Sequence, residues 1–247
     1  MIYIPYNLFT SDYISSVSTE NLSYPRTNLD DTDGHVPFKF EGYSDENIVF
    51  DAGSGNTFSI DAFGIVNHNL TSGATITLEG NATDVWTSPS FQQVITWRSG
   101  VIFQYLSSVQ TYRFFRIRIQ DSGNTEEIKL GYISGGLYNE MPAIQSAYDI
   151  SDEVQGSSYI SASGAAGGSK KYKARVFYIV CNNITWTERG VLRTMNETNG
   201  DFQPMIGQFY AADYDEEPAF YFIFEKPFRI SQTKNVFAGK FTVREVF

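Results

Sequence analysis

The chain has 247 residues, of which 42% are hydrophobic and 16% aromatic, and its formal charge is −10. Val, Ile, Tyr, Phe and Trp number 75 against 27 for Leu, Ala and Met, which favours pleated sheet and excludes a helix bundle or coiled coil. The acidic balance excludes a non-specific nucleic-acid or anionic-membrane binder, the lone Cys181 excludes a disulfide framework or cysteine-rich zinc site, and no apolar run nears the ~18 residues of a membrane span.

Taken in chain order, Met1–Asn7 lacks the basic and apolar regions of a secretory signal, so synthesis without export is expected. Asn47–Asp51 reads as a short strand, followed by the turn cluster Gly53-Ser54-Gly55-Asn56 and a mainly apolar run from Phe58 to Val66. In Thr75–Glu79, Ile76 and Leu78 point one way and the threonines and Glu79 the other. The clearest strand is Arg113–Gln120: Phe115, Ile117 and Ile119 share one face, and Arg116, Arg118 and Gln120 the opposite one. Asp121-Ser122-Gly123-Asn124 then turns the chain into Glu127–Ile133. Short strands with frequent turn signals predict a β-sandwich.

Ser157–Ser169 is rich in small residues and reads as a flexible loop or linker. Beyond it, Tyr172–Cys181 alternates, with Tyr172, Ala174, Val176, Tyr178 and Val180 on one face. Thr185-Trp186-Thr187-Glu188 fits a capping box and predicts a helix over about 186–196 with Val191, Leu192 and Met195 as its apolar stripe. Asn199-Gly200 ends that segment in a turn. Ala219–Phe224 suits a strand buried on both faces, and Phe241–Phe247 closes with partial alternation. Residues 1–60 carry a net charge of −7, 61–150 of −3 and 151–247 of zero. The expected organisation is therefore mainly β: a β-sandwich over 1–140, a linker over 141–170, and a smaller β-rich module with one helix over 171–247.

No residue set points to catalysis. The histidines are His35 and His68, there is no Gly-x-Ser-x-Gly elbow, and Cys181 ends a predicted strand as a packing residue. Gly53–Phe58 begins like a dinucleotide fingerprint but runs into a strand, where phosphate binding needs the amides of a helix N-terminus. Asp30-Asp31-Thr32-Asp33-Gly34 fails as an EF-hand: with Gly34 in sixth place, Leu29 and Phe40 fall where carboxylates are required. It reads as a solvated acidic turn, as does Asp213–Pro218. No metal and no cofactor are expected. The Asn-x-Ser/Thr sites at Asn21, Asn69, Asn81, Asn183 and Asn196 read as by-products of an Asn/Thr-rich surface.

Binding is better supplied. Trp86, Trp97, Phe103 and Tyr105 fall in 82–112, a stretch less regular than its flanks, where loop aromatics stack on sugars or anchor interfaces. The plainer reading is that they cover the open end of the sandwich. His68, between Asn67 and Asn69, is a candidate hydrogen-bond donor to a ligand, or a turn histidine with no such role.

Residues 46–136 resemble a discoidin-type, galactose-binding-like jelly roll through Val49–Ser54, Phe63–Ala74, Tyr112–Ile119 and Ile128–Gly131. The resemblance implies core strands with ligands held by loops at one end. The chain lacks the terminal cysteine pair of many secreted members, so a sugar or lipid ligand does not carry over. Such a domain with an Asn-His-Asn-Leu segment, followed by Thr187–Leu192, Phe202–Ile206 and Val243–Val246, resembles minor proteins of tailed-phage tail tips. That resemblance implies a virion structural protein made in the host cytoplasm, joined to other tail proteins, assembled as a homo-oligomeric ring and in reach of a host-surface glycan. A stand-alone carbohydrate-binding module is the alternative, and a polysaccharide-degrading enzyme a third reading.

Overall fold

The computed structural model describes residues 2–31, 36–140, 149–160, 166–199, 204–208, 219–224, 229–233 and 236–246. His35, most of the Asp30–Gly34 turn and the acidic residues of 213–217 lie outside them. In chain order the strands are β1 (Ile2–Tyr3), β2 (Ile14–Val17), β3 (Phe38–Lys39), β4 (Asp45–Asp51), β5 (Phe58–His68), β6 (Thr75–Asn81), β7 (Phe91–Ile95), β8 (Ile102–Tyr112), β9 (Phe114–Gln120), β10 (Lys129–Gly136) and β11 (Asn139–Glu140). They continue as β12 (Asp149–Ile160), β13 (Ala166–Ile184), the helix α1 (Trp186–Asn199), β14 (Met205–Gln208), β15 (Phe220–Phe224), β16 (Arg229–Thr233) and β17 (Val236–Glu245). Two compact units result, one of Ile2–Asn139 with Ile206–Phe220 and the other of Glu140–Met205 with Tyr221–Phe247.

The first unit is a jelly-roll β-sandwich. A five-stranded antiparallel sheet, β2-β4-β9-β6-β7, faces a four-stranded one, β3-β10-β5-β8. Alternation fixes which residues meet: Ile48 and Phe50, Ile76 and Leu78, Phe115, Ile117 and Ile119 point from one sheet into a core that also takes Phe63, Ile65, Leu130 and Ile133 from the other. Phe9 sits at its centre, stacked on Phe50 at 4.4 Å and edge-on to Phe58 at 6.0 Å.

The four-stranded sheet is buried on its outer face as well. Ala62, Gly64 and Val66 of β5, opposite Gly136, Ser134 and Tyr132 of β10, form a buried outer row. Ile206 lies over it: a Cβ on Gly64 would stand 2.8 Å from Ile206 Cδ1, and the Ile4 amide donates to the Ile206 carbonyl at 3.1 Å. This third layer explains the small residues along β5 and β10.

In the second unit β13 pairs with β12 and β17, and β17 also pairs with β15 and β16. The helix starts as its capping box predicts: the Thr185 amide donates to Glu188 Oε2 at 2.7 Å, and the Glu188 amide to Thr185 Oγ1 at 3.2 Å. Leu192 is fully buried, and β15 is buried on both faces except at Ile223.

Several local readings differ from the structure. Much of the expected linker is strand, because Gly/Ser-rich backbone pairs across the β12–β13 hairpin without supplying a side-chain period. Residues 102–112 are strand β8, with an irregularity in its pairing opposite Ile60 and Ala62, so Phe103 and Tyr105 are strand residues rather than loop aromatics. The pattern is hidden there because Ile102 and Phe103, neighbours on opposite faces, are both buried. On β13 the buried set changes side: Ala174 and Val176 are buried, then Phe177, Ile179 and Cys181, which leaves Tyr178 43% exposed. Glu79, on the face opposite Ile76 and Leu78, is buried too.

Candidate functional site

At one end of the sandwich, β5 gives way to β6, β7 to β8 and β9 to β10. The loops there are tied together by side chains. Asn69 Nδ2 donates to the Glu127 carbonyl at 2.9 Å while its Oδ1 accepts from the Lys129 amide at 2.9 Å. The fully buried Asp121 accepts from the Thr71 amide at 2.8 Å and the Thr71 hydroxyl at 2.5 Å. Asn67 holds a left-handed backbone, φ 53°, a conformation asparagine tolerates. It stands one residue before His68, the last residue of β5, which pairs with Leu130.

His68 does not project as a ligand donor. Its Nδ1 accepts from the Leu70 amide at 3.2 Å, which requires the neutral ring. The carbonyls of Arg98 and Gly100 lie beside the ring, though Nε2 makes no well-formed hydrogen bond to either. Burial, the largest effect, pushes the imidazole below its ordinary value. The Leu70 peptide is held from its other side too, because Trp97 Nε1 donates to the Leu70 carbonyl at 3.1 Å. Trp97 packs against the core. His68 and Trp97 thus hold the β5–β6 loop against the segment entering β8.

That segment borders a shallow pocket of ≈ 180 Å³ lined by Thr96, Arg98, Gln104 and Tyr105. Tyr105 stands half-buried, its ring edge-on to Tyr138 at 6.4 Å. Gln104 Nε2 donates to the Tyr105 carbonyl at 3.2 Å, which orients the amide. The walls therefore offer an aromatic face, a guanidinium, an amide and a hydroxyl. This combination suits a polyhydroxylated ligand, with C–H groups on the ring and hydroxyls on the polar groups. Among the described residues no carboxylate or histidine lines it.

Trp86 is elsewhere. It follows the far end of β6, whereas Trp97 follows β7 at Ile95, which pairs with Ile76 near the start of β6. Ile76 and Asn81 lie five residues apart along β6, about 16 Å. Trp86 Nε1 donates to Asp84 Oδ1 at 2.6 Å, and the Arg116 guanidinium lies 4.7 Å from its ring centroid. The structure therefore brings Trp97 and His68 together behind the pocket and Tyr105 into it, and leaves Trp86 apart. Sequence reasoning missed Thr96, Arg98 and Gln104. Their signal was weak: two polar residues flanking a tryptophan, and one next to a tyrosine.

Cys181 is fully buried, and burial pushes its thiol up to about 11, far from a reactive thiolate. Among the described residues no group of His, Cys, Asp and Glu side chains could hold a metal ion. Asp30 instead accepts from the amide and hydroxyl of Ser11.

No protein-family model matches the chain. No curated protein matches it either. Among solved structures it is similar to CpGH89CBM32-6 produced by Clostridium perfringens (22% identity, TM-score 0.39). It is also similar to chitosan-binding module 1 from the chitosanase/glucanase of Paenibacillus sp. IK-5 (14%, 0.41) and to a Streptococcus pneumoniae fucose binding module, SpX-3 (12%, 0.41). Each alignment covers 53% of this chain, and 98%, 98% and 96% of the respective partner. None of these three is named as a virion protein.

Proposed function

We propose that the sandwich unit is a carbohydrate-binding module and that the pocket of Thr96, Arg98, Gln104 and Tyr105 takes a sugar ring. The observation that carries this reading is the aromatic wall of Tyr105 beside the Arg98 guanidinium and the oriented Gln104 amide. A rigid ring stacks on the apolar face of a pyranose, and fixed donors select its hydroxyls. The role we propose is binding: the groups on the described lining stack on and hydrogen-bond to a sugar.

Isothermal titration against a panel that includes fucose and chitosan oligosaccharides, the ligands named for two of the structures above, tests the reading. Saturable heat is expected from at least one sugar, lost in Tyr105→Ala and Arg98→Ala and kept in Trp86→Ala. A panel without heat overturns the reading, and so does heat that Trp86→Ala alone abolishes. Incubation of the purified protein with the bound glycan should leave the glycan intact.

A second reading is a structural subunit of a phage tail tip, made in the host cell and joined to other tail proteins. The sequence segments quoted earlier motivate it, and the long edge strand β12 favours an assembling protein over an isolated one. Mass spectrometry of purified particles tests it. Absence of the chain from virions overturns it.

A further inference from the structure

Tyr105 forms the aromatic wall of the pocket, yet its own strand gives it little lateral support. β8 stands at the edge of the four-stranded sheet, next to β5. Across the sheet its row continues as Ala62 of β5 and Gly136 of β10, which put a methyl group and a hydrogen there. The ladder also breaks beside it. Ala62 pairs with Tyr105 and Ile60 with Gln110, so residues 106–109 of β8 stand against Asp61 alone. Ser107, Ser108 and Val109 of that run are exposed. A ring in such a place needs a second body to hold it at one angle.

Tyr138, between β10 and β11, supplies that body. Its ring meets the Tyr105 ring edge-on, with centroids 6.4 Å apart and 61° between the planes. Such a contact sets both the separation and the angle of the two rings. Tyr138 is held in turn from β5: its backbone amide donates to Asp61 Oδ1 at 2.7 Å, across 77 positions of sequence.

Asp61 is available for this bond because of the irregularity in β5. Ile60 and Phe63 both enter the core although three positions separate them, so the period of two breaks at Asp61 and Ala62. Burial pushes the Asp61 carboxyl above the ordinary carboxylate range, and the bond from the Tyr138 amide opposes the shift. Holding a carboxylate partly out of water is costly, and here its printed partner is the residue behind the pocket wall.

We propose that Asp61 is a positioning residue for the sugar pocket: it fixes Tyr138 behind Tyr105 and so sets the wall on which a sugar ring stacks. The proposal rests on the carbohydrate-binding reading and adds to it two residues, Asp61 and Tyr138, that are absent from the pocket lining. What the Tyr138 amide requires is a side-chain oxygen at the place of Oδ1, so asparagine should serve there and alanine should not.

Isothermal titration of the full chain with fucose and with chitosan oligosaccharides tests it. For whichever of these the wild type binds, Asp61→Ala should weaken affinity about tenfold, the loss expected when a charge-assisted hydrogen bond that orders the wall is removed. Asp61→Asn should return affinity to within about threefold of the wild type. Tyr138→Ala should weaken it about as much as Asp61→Ala does, and Asp61→Ala/Tyr138→Ala should be no weaker than Tyr138→Ala, because both act through one ring. Tyr138→Phe, which keeps the ring and the amide, should bind as the wild type does. Unchanged affinity in Asp61→Ala overturns the inference and leaves the carbohydrate-binding reading standing. So does a loss that Asp61→Asn shares in full, or losses that add in the double variant. A wild type silent with both sugars overturns the inference. Should Asp61→Ala unfold, Asp61→Ser, whose side chain stops short of the Tyr138 amide, takes its place with the same expectation. Unfolding of both overturns the inference, since Asp61 would then hold the fold and not the wall.

Discussion

Arg116 Nε lies 2.5 Å from Glu79 Oε2, directly across the β6–β9 ladder, with the ring of Trp86 over its guanidinium. The carboxylate is almost wholly buried although it stands on the outer face of the sheet, because arginine and indole cover it. A buried ion pair adds little net stability, but removing one partner strands a charge in a dry place. Arg116→Leu should therefore cost about 3 kcal/mol in urea unfolding, and Glu79→Leu/Arg116→Leu should recover most of it. Equal costs for the single and double variants would show that the pair is not coupled.

The Arg116 row also shows how far the sequence could be read. Strict alternation over 114–120 declared both faces of β9, and the capping residues Thr185 and Glu188 announced the start of α1, because each signal is local. Nothing local announced the burial of Glu79, since the guanidinium that pairs with it, Arg116, stands on another strand. The β12–β13 hairpin was invisible because glycine and serine pair through the backbone alone. In the site, Tyr105, Trp97 and His68 were singled out as aromatic or titratable. Arg98 and Gln104 were not, because which polar side chains converge depends on the strand β8 and on the loop packed against His68.

His68 predicts a pH dependence. Its native pKa is lowered, first by burial and next to Lys129, while the carbonyls of Arg98 and Gly100 and the charge of Asp121 oppose the shift. The unfolded chain therefore binds the proton more readily than the native one. The contribution of His68 to stability is full above its ordinary value near 6.5 and is lost as pH falls from there through the lowered native value. His68→Asn keeps an acceptor for the Leu70 amide and cannot titrate in this range. The urea midpoint of the wild type should fall more between pH 7.5 and 5 than that of His68→Asn. Parallel slopes would mean that the imidazole is not held neutral.

The α1 cap gives a prediction for the second unit. Thr185 Oγ1 accepts from the Glu188 amide, one of the donors a helix start leaves without an intrahelical partner. Thr185→Ala should cost about 1 kcal/mol, and Thr185→Ser much less, because the hydroxyl rather than the methyl makes the bond. Thermal unfolding followed at 222 nm measures both. Identical losses would place the effect in packing.

Gly136 carries the sharpest steric prediction. A Cβ there would stand 2.3 Å from the Tyr6 carbonyl oxygen and 3.1 Å from Ile4 Cγ2. Backbone cannot rotate aside as a side chain can, so the segment over the outer face of β10 would have to lift. That segment is fastened by the Leu8 amide on the Gly135 carbonyl at 2.8 Å, and by Asn7, which donates to the Ile133 carbonyl at 2.7 Å and accepts from the Gly135 amide at 3.1 Å. Lifting it loosens these bonds and uncovers the buried row of Ala62, Gly64 and Val66. Gly136→Ala should cost about 1–3 kcal/mol, the usual range for overpacking, and should speed amide exchange at Leu8 and Gly135. Gly100→Ala, where a Cβ meets nothing within 4 Å, serves as the control and should change neither. A Gly136→Ala variant as stable as the control would mean that the N-terminal segment does not rest on β10.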